Sequence, residues 1–245
     1  VKKLTEENLK DFIKKFNLPI DTKKLNKLDY LKFNKNSKEY KYLINQRNKL
    51  GGFLPKREAV KANLKVNDSS HFDEFNTQSK REMSTTMVFV RLLTSLLRDK
   101  KIGKNIVPIV PDEARTFGMD GLFRQFGIYS REGQKYQPED ADKVMWYRES
   151  EDGVMLEEGI NEAGAFSAWI ALATSYANNS LPMVPFYIYY SMFGFQRVHD
   201  LAWAAGDARA RGFLLGATSG RTTLNGEGLQ HQDGHSHLLA STIPN

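Results

Sequence analysis

Three apolar runs without alternation constrain the fold of this sequence more than any other feature: Ile106-Val107-Pro108-Ile109-Val110, Val184 to Tyr190, and Phe213 to Ala217. A strand with one wet face alternates polar and apolar residues. A continuously apolar strand is buried on both faces, which is the condition of a parallel sheet covered by helices. The intervening segments carry helical spacing. From Glu82 to Arg98, Met83, Met87, Val90 and Leu97 share a face, with Val88, Leu92 and Leu96 beside it. Residues 160–177 are alanine-rich, and 198–209 continue the pattern. The fold class is therefore α/β, a parallel twisted sheet with helices on both faces. Pro108 lacks an N–H and argues for an edge or an irregularity in the first strand. In such sheets ligands sit beyond the carboxyl ends of the strands. Asp112 and Glu113 follow the first run, Tyr190 to Phe195 the second, and Gly220 to His237 the third. Three distant loops converge there on one edge and make a site.

The rest of the chain is less regular. Thr5-Glu6-Glu7 opens a short amphipathic helix carrying Leu4, Leu9, Phe12, Ile13 and Phe16, and Pro19 ends it. A second helix spans 37–50, with Tyr40, Leu43 and Ile44 expected inside and Gly51-Gly52 as its stop. Residues 55–79 are polar and turn-rich and hold a domain boundary; residues 118–143 show little periodicity and read as loop. The expected organisation is a basic linker over 1–79 and a domain over 80–245. Of 245 residues 40% are hydrophobic, enough for one substantial core.

The net charge of +6 raises nucleic acid as a partner until its distribution is read. Residues 1–65 hold 18 Lys and Arg against 7 Asp and Glu, or +11; residues 66–245 hold 17 against 22, or −5. The basic excess lies in a lysine-rich start with no groove-binding motif and no aromatic platform for RNA, which reads as solvated helix and linker. No nucleic-acid partner is expected. No apolar run approaches a membrane span, and no membrane partner is expected. The chain has no cysteine and no signal-like start, so a cytoplasmic setting is the default. Val1 is not an initiator methionine and nothing closes the chain after Asn245, so a piece of a longer polypeptide is expected.

The third loop carries the densest chemistry. Six of the eighteen glycines fall between Gly212 and Gly234, and three of the five histidines, His231, His235 and His237, lie within seven residues. Glycine at that density permits close approach to a ligand, and imidazoles titrate near neutral pH. A zinc site has roughly this histidine spacing with Asp233, but no cysteine helps and the glycines break the helix that would align the ligands. No metal ligand is assigned. A polar surface loop accounts for the glycines but leaves the mixed imidazoles and carboxylates unused. Glu162 also has two readings, an acid favoured in a first helical turn by the macrodipole or a functional carboxyl. Ala163, Gly164, Ala165 and Phe166 give it a small apolar setting, whose desolvation acts on its proton in the opposite direction to the dipole.

Four blocks in this order carry a family likeness: Glu82-Met83-Ser84-Thr85-Thr86; Pro111 to Met119; Glu158-Gly159-Ile160-Asn161-Glu162-Ala163-Gly164 with Pro185 to Arg197; and Gly220 to His237 followed by Ser241-Thr242-Ile243-Pro244-Asn245. On these the chain resembles the homodimeric bacterial first component of pyruvate dehydrogenase, a thiamine-diphosphate-dependent decarboxylase, over its middle, pyrimidine-binding domain. The resemblance implies a transketolase-like pyrimidine-domain fold and oxidative decarboxylation of pyruvate. The acetyl unit would pass to the lipoyl domain of dihydrolipoyl acetyltransferase. It implies that Glu162 hydrogen-bonds the pyrimidine N1′ and so promotes loss of the thiazolium C2 proton. His231, Tyr190 and Glu113 match catalytic positions, with Asp112 another acid beside the reaction centre. Ile160 and Phe193 match apolar contacts to the cofactor, and Glu227, His237 and Arg197 support the substrate and its loop. Gln232 stands where relatives are expected to carry glutamate.

The diphosphate and Mg2+ motif of this family, Gly-Asp-Gly with later asparagines, does not occur; Gly206-Asp207-Ala208 lacks the second glycine. The resemblance puts that motif on a preceding domain, with the cofactor bridging two subunits of a homodimer and a further histidine loop upstream of Val1. Half a site is expected here. The rival readings are a transketolase-like carbon–carbon transferase, which Asp233-Gly234 and His237 also suit, and a non-catalytic metal or nucleic-acid binder.

Overall fold

The computed structural model describes residues 4–27, 30–54, 63–112, 114–139, 147–217 and 231–244. Their helices are α1 (Glu6–Lys15), α2 (Lys38–Lys49), α3 (Thr85–Arg98), α4 (Asp120–Phe126), α5 (Glu162–Ala173), α6 (Ser175–Asn178), α7 (Phe195–Asp207) and α8 (Ser236–Ala240). The strands are β1 (Ile106–Val110), β2 (Ile128–Tyr129), β3 (Glu149–Ser150), β4 (Leu156–Glu157), β5 (Val184–Tyr190) and β6 (Phe213–Ala217). The chain divides into two units, Val1–Ala59 and Val60–Asn245.

In the second unit the main sheet runs β4-β1-β5-β6, every pairing parallel. Successive strand residues face opposite sides, so an all-apolar strand feeds two cores. Along β5, Phe186 and Ile188 join α3 residues Val90, Leu93 and Leu97 together with Phe117, Leu122 and Phe123. Tyr187 and Tyr189 point the other way, against Phe166 and Trp169 of α5 and Ala202 and Ala205 of α7. The Trp169 indole donates to the Pro185 carbonyl at 3.3 Å, tying α5 to the strand beneath it. The three apolar runs are thus adjacent strands with helices on both faces.

Several local expectations need correction. Pro108 sits in an inner strand, opposite Phe186 of β5. It is tolerated because β4 pairs only with Ile109 and Val110, leaving β1 with a neighbour on one side alone at the proline. Residues 118–143, expected as loop, contain α4, which buries Leu122 and Phe123 and ends where Gly127 takes φ +73. The alanine-rich helix breaks at Thr174, so α5 and α6 replace one long element. On α3 the buried face is Val90, Leu93 and Leu97; Met87 and Val88 are exposed, and Met83 lies exposed before the helix, which starts at Thr85 and not at Glu82.

Among its described residues the first unit holds two capped α-helices, with a 3-10 segment over Thr22–Lys27 between them. Thr5 and Asn8 form a reciprocal cap on α1, and the Ser37 hydroxyl accepts the Tyr40 N–H at 3.1 Å on α2. Gly51 and Gly52, both at positive φ, stop α2. Of the described residues in this unit only Ile13 is buried. The expected burial of Tyr40, Leu43 and Ile44 does not occur: Leu43 is exposed and the other two are half-buried, because α2 meets no core of its own.

Candidate active site

A parallel sheet puts all its strand ends on one edge, and the short strand β4 adds a fourth loop to the three read from the sequence. Glu158 to Asn161 follow β4 and lead into α5. The Asn161 side chain caps that helix, accepting the Gly164 N–H at 3.0 Å, and so fixes Glu162 as its first residue. Tyr190 ends β5, Ser191–Phe193 form a single 3-10 turn, and Arg197 lies in the first turn of α7. These placements bring the side chains together.

The Arg197 guanidinium pairs with the Glu162 carboxylate, whose side chain is 13% exposed. The same guanidinium lies 4.3 Å from the centre of the Phe193 ring, a cation–π contact. Phe193 meets the His231 imidazole at 5.9 Å, and His231 meets the Tyr190 ring edge-on at 5.2 Å. Tyr190 in turn packs on buried Phe117 at 5.1 Å. A continuous strip therefore runs Glu162, Arg197, Phe193, His231, Tyr190. Beneath it lies Tyr187, fully buried; burial first, then the charge of Glu162, pushes its phenol well above the ordinary range.

The end of the third loop is tied to this strip. The Ser236 hydroxyl donates to the Ser191 carbonyl at 3.1 Å, and the His235 Nε2 pairs with the Gln196 amide. Asp233 Oδ1 accepts the N–H groups of His235 and Ser236, each at 3.1 Å. Burial alone would raise the Asp233 carboxyl, but the hydrogen bonds from His235 and Ser236 outweigh it and hold it at about 2.

Of the other expected residues, Asp112 lies two positions beyond β1 and lines a neighbouring cavity of about 420 Å3 with Arg115, Thr116, Tyr147 and Glu157. Ile160 is 76% exposed and His237 is exposed on α8. Glu113, Glu227 and the loop 218–230 lie outside the described residues. The sequence reading missed Glu157, Gln196 and the Glu162–Arg197 pairing. Only Asp233 carried a local signal, an acid two and three residues before the amides it accepts, the Asx-turn pattern ahead of a helix. The strip offers a carboxylate, an aromatic face, an imidazole and a phenol on one edge, a set suited to holding a flat polar heterocycle and moving protons beside it.

Comparison with known proteins gives the family. Residues 64–245 match the family model described as the pyruvate dehydrogenase E1 component middle domain. Proteins named pyruvate dehydrogenase E1 component are similar over the whole chain: 58% identical in Pseudomonas aeruginosa, 57% in Cupriavidus necator and 54% in Escherichia coli. In each case the chain spans 28% of the relative's length. The chain belongs to the pyruvate dehydrogenase E1 component middle-domain family.

Proposed function

We propose that this chain forms the pyrimidine-binding half of an active site that decarboxylates pyruvate oxidatively and passes the acetyl unit to the lipoyl domain of dihydrolipoyl acetyltransferase. In this reading the complete protein is a cytoplasmic homodimer. A preceding domain holds Mg2+ and the diphosphate, and each site draws on both subunits. The observation that carries the reading is the strip from Glu162 to Tyr190, which gathers five of the residues the family likeness names.

The residues fit thiamine diphosphate. Glu162, only 13% exposed, can take the N1′ edge of the pyrimidine, and Phe193 supplies an aromatic face beside it. When bound, the cofactor supplies the thiazolium carbon that adds to the keto group and accepts the electrons left as carbon dioxide departs. The chain's own groups orient substrate and move protons. Glu162 would share a proton with N1′ of the bound cofactor, and Arg197, paired with it, would fix the direction of its carboxylate. Tyr190 and His231, in edge contact, would lie beside the substrate carbonyl, where a phenol and an imidazole can donate to the oxygen as charge develops. Glu113 and Asp112 supply acids on the β1 side, and Ile160 an apolar contact to the cofactor. Glu227 and His237 support the substrate loop.

Carbon dioxide release from pyruvate by the full-length protein, with thiamine diphosphate and Mg2+, tests the reading. Ketol transfer between sugar phosphates with no carbon dioxide release would replace it by a transketolase-like activity. Glu162→Gln is expected to cut turnover by about a hundredfold or more while the circular dichroism stays that of the parent. Turnover equal to wild type would remove Glu162 from its role.

A further inference from the structure

Glu157 has no part in the chemistry above, yet its position is tightly set. It ends β4 opposite Val110 of β1, and the Glu158 N–H donates to the Val110 carbonyl at 3.2 Å. Asp112 follows two residues after that partner, just beyond β1, and both acids line the same cavity with Arg115 and Tyr147. Among the described residues, Glu157 Oε2 is buried and has no hydrogen-bond partner.

The surroundings are acidic. Asp112 faces Glu157 from the segment after β1, Glu149 from β3, and the Tyr147 and Tyr136 phenols lie beyond, with Tyr136 donating to Glu149 at 2.8 Å. Arg115 is the cation on the cavity wall. Burial first, and the Asp112 charge second, push the Glu157 carboxyl above its ordinary value; hydrogen bonding from the backbone at Ala114 and from Tyr147 pulls the other way. A buried carboxylate oxygen without a partner is costly, whereas the protonated acid loses the charge and gains an O–H donor.

We propose that Glu157 is a positioning residue: as the neutral acid it lies beside Asp112 in the shared cavity without repulsion, and its ionisation places a second negative charge there and displaces the Asp112 side chain from the carboxyl edge. This rests on the decarboxylase reading only where turnover is the readout.

The test uses the full-length enzyme with thiamine diphosphate and Mg2+, measuring pyruvate decarboxylation from about pH 5 to about pH 9. Glu157→Gln, a permanently neutral isostere, is expected to keep turnover within about threefold at the acid end and to lose the fall in turnover that follows Glu157 ionisation as pH rises above the ordinary carboxylate range. Glu157→Ala is expected to fall by about tenfold or more in kcat/KM. A Gln variant as impaired as the Ala variant, or one keeping the wild-type profile, would overturn the proposal. The same protein labelled with 13C at glutamate carboxyls gives a readout independent of turnover. One carboxyl, absent from Glu157→Gln, should titrate above the ordinary range. If wild type releases no carbon dioxide, the decarboxylase reading fails and this titration decides alone. A Glu157 carboxyl titrating normally sinks the positioning role.

Discussion

Asp233 and Glu157 are two carboxyls on the same edge whose environments act in opposite directions, and the sign of each can be read in stability. Asp233 is held at about 2, against 3.8 ordinarily, because hydrogen bonds from the backbone of His235 and Ser236 and from the Ser236 and Ser191 side chains outweigh its burial. A depressed acid contributes stability that is present above its unfolded value and lost as pH falls through the folded one. The loss belongs between about pH 4 and about pH 2, and a shift of this size is worth on the order of 2 kcal/mol. Asp233→Asn removes that dependence. In urea unfolding the wild-type advantage over Asp233→Asn should shrink across that acid window, and curves that stay parallel would exclude the hydrogen-bonded carboxylate as its source. Glu157 is raised, so its contribution is complete below the ordinary carboxylate range and declines as pH rises through its folded value. Arg197 adds a third case: it serves Glu162 and Phe193 at once, so removing it uncouples a carboxylate and an aromatic ring together.

The strand–turn–helix unit β5, Ser191–Phe193 and α7 carries Tyr190, Phe193 and Arg197, so the geometry of the strip is the geometry of that turn. Gly194 is its tightest point. A Cβ there would lie 2.0 Å from Cε2 of the Tyr189 ring, a buried side chain stacked on Tyr187 at 4.8 Å and unable to swing away. Gly194→Ala should therefore cost about 1–3 kcal/mol by overpacking, read as a fall in Tm, and should lower turnover through the displaced Phe193 and Arg197. A Tm equal to the parent's would mean the turn relaxes freely. The strands of this unit were legible in the sequence because a strand buried on both faces is apolar at every position, and the observed bounds of β1, β5 and β6 coincide with the three apolar runs. The two-residue β4 was not, since Leu156-Glu157 is too short to show a period and one of its residues is an acid. The missed α4 has the same cause, with only Leu122 and Phe123 buried in seven residues. Glu162 and Arg197 stand 35 positions apart on different helices, and no local pattern encodes their meeting. What the family likeness supplied was the names of the site residues; their pairings came only from the sheet that aligns the loops.

Both hydrophobic cores lie on the two faces of one sheet in the unit Val60–Asn245, while the described part of Val1–Ala59 buries Ile13 alone. Charge divides the chain in a similar place, +11 over residues 1–65 and −5 over the remainder, so the first unit also carries strong self-repulsion. Capping accounts for α1 and α2 locally, through Thr5 with Asn8 and through Ser37, but a cap contributes about 1 kcal/mol and isolated helices of 10 and 12 residues are marginal in water. Stability in this molecule should accordingly be uneven. Amide hydrogen exchange on the chain is expected to show β5 and α5, packed by Phe166, Trp169 and Tyr187, opening only with global unfolding. The amides of α1 and α2 should exchange at least about a hundredfold faster, by local opening. Raising salt should slow exchange in α1 and α2 selectively, because screening relieves the repulsion among their lysines and leaves the buried sheet unaffected. Equal protection of α2 and β5 would mean that the first unit draws stability from something other than its own caps and Ile13.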